Sequence, residues 1–159
     1  MSKTSEKPTI FVTRRWPNAA EEALKKYFNP TFNEQDVPLT TAQIAGGFAS
    51  HDALAPTVSD QITADIIAAG AAGSGRLIAN YGVGVNHIDL SAAASAGLAV
   101  SNTPGVLTDA TADLALTLML MVSRRAGEGE RELRAGQWCG WRPTHLMGRS
   151  LSGKTLGII

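Results

Sequence analysis

Residues 76–102, RLIANYGVGVNHIDLSAAASAGLAVSN, contain the clearest strand–helix–strand pattern of the sequence. An apolar strand is predicted in RLIAN (76–80), and a second one in LAVSN (98–102). The alanine-rich segment between them predicts a short helix that is capped by Asp89 and ends at Gly97. Two apolar strands joined through a helix are typical of a parallel sheet.

The alternation of strands and helices extends towards the amino terminus. Three further strands are predicted in TIFVT (9–13), PTFNEQ (30–35) and HDALAPTV (51–58). Helices are predicted in NAAEEALKKYF (18–28), LTTAQIAG (39–46) and SDQITADIIAAG (59–70), with caps or end signals at Asn18, Thr40 or Thr41, Gly46 and Gly70. Five short strands that alternate with helices predict an α/β fold with a flavodoxin-like parallel sheet in the order 2-1-3-4-5, covered on both faces.

A helix of a different kind is predicted after residue 107, with Thr108 or Asp109 as its cap. Its apolar residues go all the way round the helix: Leu114, Leu116, Leu118, Met119, Leu120, Met121 and Val122. A helix of this kind needs cover on every side, and one small sheet does not provide it. We therefore expect this helix to lie between two domains or between two subunits.

The remaining segments are a polar helix, a tryptophan-containing loop and a short apolar run. The polar helix contains a Glu130 to Arg134 pair one turn apart and ends at Gly136. The loop WCGWRPTHLMGRSL (138–151) shows no periodicity, and TLGII (155–159) predicts a buried strand.

Composition and charge exclude several classes of protein. Lys plus Arg and Asp plus Glu number 14 each, so no basic surface for nucleic acid or for an anionic membrane is expected. Cys139 is the single cysteine, and the three histidines show no metal-ligand spacing, so neither a disulfide nor a metal site is expected. The apolar run ADLALTLMLMV (112–122) is shorter than the roughly 20 residues that span a bilayer. Together with a polar start that lacks a signal-peptide core, these features predict a cytoplasmic protein.

The loop that follows the fourth predicted strand is a candidate anion site. Gly82 and Gly84 are expected to adopt backbone conformations that a side chain forbids, and the free N–H groups of such a turn suit a small carboxylate. The alternative is that these glycines only form a tight turn. His87 in the same loop is either an acid or electrostatic partner, or a hydrogen-bonded loop histidine.

The loop SNTPGVLTDAT (101–111) leads into the apolar helix and is the second candidate. A helix N-terminus at the edge of a sheet suits a phosphate or carboxylate, and Thr108 and Thr111 add hydroxyl groups there. Simple capping of the helix needs the same residue types, so both interpretations stay open. No segment of the sequence completes the dinucleotide pattern G-x-G-x-x-G.

Four ordered segments, ANYGVGVNHIDL, NTPGVLTDATADLALTLML, RRAGEGERELRAGQWCGWRP and LSGKTLGII, resemble the D-isomer-specific 2-hydroxyacid dehydrogenases. The W-x-x-W-x-P spacing is most similar to the glyoxylate and hydroxypyruvate reductase branch. The resemblance implies a substrate-binding domain at residues 1–106. It also implies, at residues 107–159, an interdomain and dimerisation helix, a dimerisation loop and the first strand of a truncated Rossmann nucleotide-binding domain.

The resemblance implies hydride transfer between NAD or NADP and a small 2-oxo or 2-hydroxy acid, such as glyoxylate or hydroxypyruvate, in a homodimer. The backbone N–H groups of Val83 and Gly84 would hold the substrate carboxylate, and Leu107 would line the substrate pocket. Thr111 would face the nicotinamide. Trp141 would reach the active site of the neighbouring subunit, or alternatively pack within its own chain.

The catalytic arginine, histidine and carboxylate of the family are expected beyond residue 159, so no catalytic residue is assigned and the 159-residue chain is expected to be inactive alone. His87 and His145 do not occupy the matching position, and Asn86 stands where many family members have aspartate. The alternative interpretation is a non-catalytic flavodoxin-like binding or dimerisation module.

Overall fold

The computed structural model describes residues 7–158, which divide into two compact units on either side of the Gly105–Val106 bond. The sheet of the first unit contains five strands: β1 (Thr9–Val12), β2 (Asn29–Phe32), β3 (Ala53–Ala55), β4 (Leu77–Ala79) and β5 (Ala99–Ser101). Its helices are α1 (Asn18–Tyr27), α2 (Thr41–Ala49), α3 (Ala64–Ala72) and α4 (Leu90–Ser95). All neighbouring strands are parallel in the order β2-β1-β3-β4-β5, which confirms the predicted order.

Apolar side chains pack on both faces of this sheet. In β3, Leu54 belongs to one buried cluster, whereas Ala53 and Ala55 belong to the other. Successive residues of a strand point to opposite faces, so the two clusters lie on opposite sides of the sheet. The first cluster is the larger, and Phe48, Ile66 and Ile78 are fully buried in it.

Two glycines expected to end helices do not end them. α2 continues through Gly46 to Ala49, and α3 continues through Gly70 to Ala72. A Cβ at Gly70 would lie 2.2 Å from the ring of Phe48, so this glycine is needed for close helix packing.

Helix capping follows the prediction at two helices and departs from it at a third. Thr40 forms a capping box with Gln43 at α2, and Asp89 accepts a hydrogen bond of 2.9 Å from the N–H of Ala92 at α4. Asn18 is the first residue of α1 rather than its cap, because Pro17 occupies the capping position.

The segment after β1 is held by a buried carboxylate. Glu21 is only 4% exposed and accepts two hydrogen bonds of 2.8 Å from the guanidinium of Arg15. The N–H of Trp16 donates a third at 2.9 Å. The guanidinium, with help from this N–H, lowers the pKa of Glu21, so the carboxylate stays charged and fixes the start of α1.

The second unit contains α5 (Thr108–Ser123) and α6 (Ala126–Arg134). The prediction that Thr108 or Asp109 caps α5 is wrong, because Leu107 occupies the capping position and offers no side-chain acceptor. No residue of α5 is buried, and Leu116 and Leu120 are each 53% exposed. The expected pair of Glu130 and Arg134 is present on α6, which ends before Gly136 at a left-handed φ of 66°.

The tryptophan loop packs on α6 through one carboxylate. Arg142 Nη2 donates to Glu132 at 3.3 Å, and His145 Nε2 lies 2.8 Å from the other oxygen of Glu132. A Cβ at Gly129 would lie 3.1 Å from Leu146, so the loop also approaches the helix backbone closely.

The buried strand predicted at residues 155–159 is not formed in the part of it that is described. Residues 154–158 are irregular and exposed, and Ile159 lies outside the described residues. A strand needs a neighbour to satisfy its backbone groups, and no strand within residues 7–158 pairs with this segment.

None of the helices within residues 7–158 is long and apolar enough to cross a bilayer. Within the same range, no three His, Cys, Asp or Glu side chains are grouped so that they could bind a metal ion.

Candidate carboxylate-binding site

The loop between β4 and α4 is fixed at both ends by the loop that follows β3. Tyr81 N–H donates to Pro56 O at 2.9 Å, and Ile62 N–H donates to His87 O at 2.8 Å. Short parallel bridges between the two loops accompany these bonds. Because the carboxyl ends of parallel strands meet at one edge, this is the edge at which open α/β sheets bind ligands.

The two glycines of this loop, Gly82 and Gly84, were predicted to adopt backbone conformations that a side chain forbids, and the structure does not show this. Neither has a left-handed φ, so the expected conformation that excludes side chains is absent. A Cβ at Gly82 would lie 2.8 Å from a methyl group of the exposed Val58, so a side chain at Gly82 would require Val58 to move. A Cβ at Gly84 would meet no atom within 4 Å, so the surface above Gly84 is open.

The backbone N–H groups of Val83 and Gly84 have no protein acceptor within residues 7–158. Their carbonyl oxygens are held: Val83 O accepts from Asn102 Nδ2 at 2.9 Å, and Gly84 O accepts from Asn80 Nδ2 at 2.9 Å. Val83 and Gly84 are both exposed. Two adjacent N–H groups without a protein acceptor are available to an anion, so this loop is a candidate for binding a carboxylate through its backbone.

Asn80 and His87 form a hydrogen-bonded pair beneath the loop. Asn80 is buried, and its Nδ2 also donates to Gly82 O at 3.1 Å. Since Nδ2 faces two carbonyls, Oδ1 must face His87, whose Nε2 donates to it at 2.9 Å. Burial lowers the pKa of His87 and the nearby charge of Asp60 partly opposes this, so the imidazole is neutral at pH 7.

The concavity beside Gly84 has a volume of about 340 Å³ and is lined by Val58, Gln61, Gly84, Asn86 and His87. This lining contains no arginine or lysine, and its histidine is neutral. The attraction for an anion therefore comes from backbone and neutral side-chain dipoles rather than from a formal charge, and we expect the affinity of the loop by itself to be weak.

The other predicted site residues lie in the second unit. Leu107 is 53% exposed, and its carbonyl accepts the N–H of Thr111 at 2.9 Å in the first turn of α5. Trp141 is 83% exposed, so it does not pack closely against residues 7–158 of its own chain. Val83 and Gly84 are thus adjacent in one loop, and Leu107 and Thr111 are adjacent in one helical turn.

A dinucleotide does not fit the residues that the structure describes. The sequence has no G-x-G-x-x-G, and residues 154–158 do not form the strand that such a loop would follow. Among the residues that the structure describes, Thr111 is the one predicted to contact a cofactor.

Comparison with known proteins places the chain in a family. The model of the D-isomer specific 2-hydroxyacid dehydrogenase, catalytic domain, matches residues 10–155. The glyoxylate reductase of Thermococcus litoralis is 36% identical over 157 residues, which cover 96% of this chain and 47% of that protein. The glyoxylate reductase of Korarchaeum cryptofilum is 36% identical over 154 residues, which cover 96% and 46%.

Solved structures show the same relationship. A putative NAD-binding D-isomer specific 2-hydroxyacid dehydrogenase from Polaromonas sp. matches with a TM-score of 0.86 and 39% identity, over 92% of this chain and 46% of that one. The NADPH-dependent glyoxylate/hydroxypyruvate reductase of Sinorhizobium meliloti, in complex with NADP and malonate, matches with a TM-score of 0.75 and 30% identity, over 94% and 45%. The chain thus spans about half the length of the relatives that it matches. It belongs to the family of D-isomer-specific 2-hydroxyacid dehydrogenases, as the four sequence segments indicated.

Proposed function

We propose that this chain supplies the substrate-binding half of an NAD- or NADP-dependent oxidoreductase that reduces a small 2-oxo acid such as glyoxylate or hydroxypyruvate. The proposal depends above all on the free, adjacent N–H groups of Val83 and Gly84 beside an open concavity. It is supported by relatives that are glyoxylate reductases. One structural relative was solved with malonate, a small dicarboxylate.

The role of this half would be to bind the 2-oxo acid and to orient it for reduction. The carboxylate of a 2-oxo acid would accept hydrogen bonds from both N–H groups, which fixes the direction of the neighbouring C2 carbonyl. The hydride for this reduction would come from a nicotinamide cofactor. We further propose that Leu107 lines the substrate pocket, Thr111 faces the cofactor and Trp141 reaches the site of a neighbouring subunit.

The binding proposal is tested by titrating the ¹⁵N-labelled chain with oxamate, an unreactive analogue of a 2-oxo acid. The amide signals of Val83 and Gly84 are expected to shift most, with a dissociation constant in the millimolar range because no charged side chain lines the concavity. Acetamide, which has no charge, is the control ligand. Shifts confined to other residues would contradict the proposal.

The reaction is tested with a chimera in which residues 1–159 replace the matching part of the Thermococcus litoralis glyoxylate reductase. Reduction of glyoxylate with NADH or NADPH is the expected result. A folded chimera that binds the cofactor without reducing glyoxylate would favour a binding module instead.

We also infer that the protein is a cytoplasmic homodimer. The single cysteine supports a reducing compartment. The apolar side chains that α5 leaves half exposed support a partner helix from a second copy.

Sedimentation equilibrium tests the dimer. The chain is expected to be dimeric in the micromolar range, and the double variant Leu116→Glu, Leu120→Glu is expected to be monomeric, because it places two charges on one side of α5. Leu133→Glu, on the exposed side of α6, is the control. A monomeric unsubstituted chain would refute the inference.

A further inference from the structure

The direction of each free N–H group is set by the carbonyl of the same peptide unit. The carbonyl of Val83 and the N–H of Gly84 belong to one planar trans peptide and point in opposite directions. The same relation joins the carbonyl of Gly82 to the N–H of Val83. A donor that holds either carbonyl therefore aims the N–H on the opposite side of the peptide.

Asn102 holds the first of these peptide units. Its Nδ2 donates to Val83 O at 2.9 Å, and no other protein donor contacts that oxygen within residues 7–158. Asn102 directly follows β5 (Ala99–Ser101), whereas Val83 lies in the loop after β4, so the bond links the segments that follow two neighbouring strands. Asn102 is exposed, which means that its side chain is not part of the core.

The second peptide unit is held twice. Gly82 O accepts from Asn80 Nδ2 at 3.1 Å and from Thr103 N–H at 3.0 Å. The Asn80 amide is itself oriented by His87 at 2.9 Å. If one of these donors is lost, the other still holds Gly82 O. The direction of the Val83 N–H is therefore more firmly fixed than that of the Gly84 N–H.

We propose that Asn102 is a positioning residue for the carboxylate site, which aims the N–H of Gly84 at the ligand by holding the carbonyl of Val83. Asn80 has the same role for the N–H of Val83, with Thr103 as a second support. The proposal rests on the proposed function, since it assigns a purpose to the loop that binds the carboxylate. A loop with two glycines has wide backbone freedom, so without the asparagine this peptide would rotate away part of the time.

The first measurement needs no ligand. Residual dipolar couplings report the direction of an N–H bond, and the coupling of Gly84 is expected to change in Asn102→Leu and to stay unchanged in Ser101→Ala. Ser101 is the matched control because it is the exposed neighbour and its side chain makes no hydrogen bond within the described residues. An unchanged Gly84 coupling in Asn102→Leu would overturn the proposal.

The second measurement uses oxamate as the probe. Asn102→Leu is expected to weaken binding about fivefold, the size of one neutral hydrogen bond, while the melting temperature stays close to that of the unsubstituted chain. Asn102→Gln, which keeps the donor, is expected to restore part of the affinity. Equal affinity for the unsubstituted chain and Asn102→Leu would overturn the proposal.

The dipolar coupling and the oxamate titration distinguish failure of the proposed function from failure of the positioning role of Asn102. If the unsubstituted chain does not bind oxamate, the proposed function fails, but the dipolar coupling of Gly84 still decides whether Asn102 sets the direction of its N–H. A fall in melting temperature without a change in this coupling would assign Asn102 a merely structural role and would overturn the positioning proposal.

Discussion

Replacing Gly84 by valine is expected to remove oxamate binding from a chain that remains folded. A Cβ at Gly84 meets no atom within 4 Å, and φ of Gly84 lies outside the left-handed region, so the fold tolerates a side chain there. The same side chain would occupy the open space over the N–H groups of Val83 and Gly84. We expect the affinity to fall more than tenfold, which corresponds to more than about 1.4 kcal/mol.

Gly46→Val is the matched control for this variant. Gly46 also has no atom within 4 Å of its Cβ position, but it lies in α2, outside the loop between β4 and α4. Both variants are expected to melt close to the unsubstituted chain, as measured by circular dichroism, and only Gly84→Val should lose binding. Unchanged affinity in Gly84→Val would show that the carboxylate binds elsewhere.

Of the substitutions proposed for this chain, Phe48→Ala is expected to cause the largest loss of stability. It should lower the free energy of unfolding of the first unit by about 3–5 kcal/mol. Phe48 is fully buried, and the glycines at positions 70 and 75 pack directly against its ring. Because these glycines have no side chains, they cannot move into the cavity that truncation leaves. For a unit of this size, the melting temperature should fall by more than about 10 °C.

Tyr27→Ala provides the comparison, since Tyr27 is 70% exposed at the end of α1. Tyr27→Ala is expected to change the free energy of unfolding by no more than about 0.5 kcal/mol. Urea denaturation followed by the amide signals of the first unit measures both variants. A cost below about 1 kcal/mol for Phe48→Ala would mean that α2 and α3 repack around the missing ring.

Much of the fold was predictable because the responsible interactions are local. Apolar runs and helix caps lie within a few residues of the elements that they define, so the five strands and the caps Thr40 and Asp89 could be recognised. The order of the sheet was predicted because 2-1-3-4-5 is the commonest order for a parallel sheet of this kind. The ends of α2 and α3 were misplaced because Gly70 serves the packing of Phe48, a contact that helix periodicity does not reveal.

The location of the candidate carboxylate loop was predictable, but its backbone geometry was not. The glycines and the family resemblance pointed to Val83 and Gly84, which stay a prediction, whereas the predicted backbone conformation was wrong. Asn80 gave one signal that could have been used, since it is a polar residue directly after an apolar strand. Asn102 gave none, because its contact with Val83 spans 19 residues and depends on the pairing of β4 with β5.

Local patterns in the sequence were enough to identify the class of fold, the family and the loop proposed to bind the carboxylate, because periodicity, caps and motifs act over short distances along the chain. Which N–H groups stay free, and which groups orient them, depended on tertiary contacts. Asn102 follows β5, and its side chain comes within hydrogen-bond distance of Val83 O only when β4 and β5 pair in the parallel sheet.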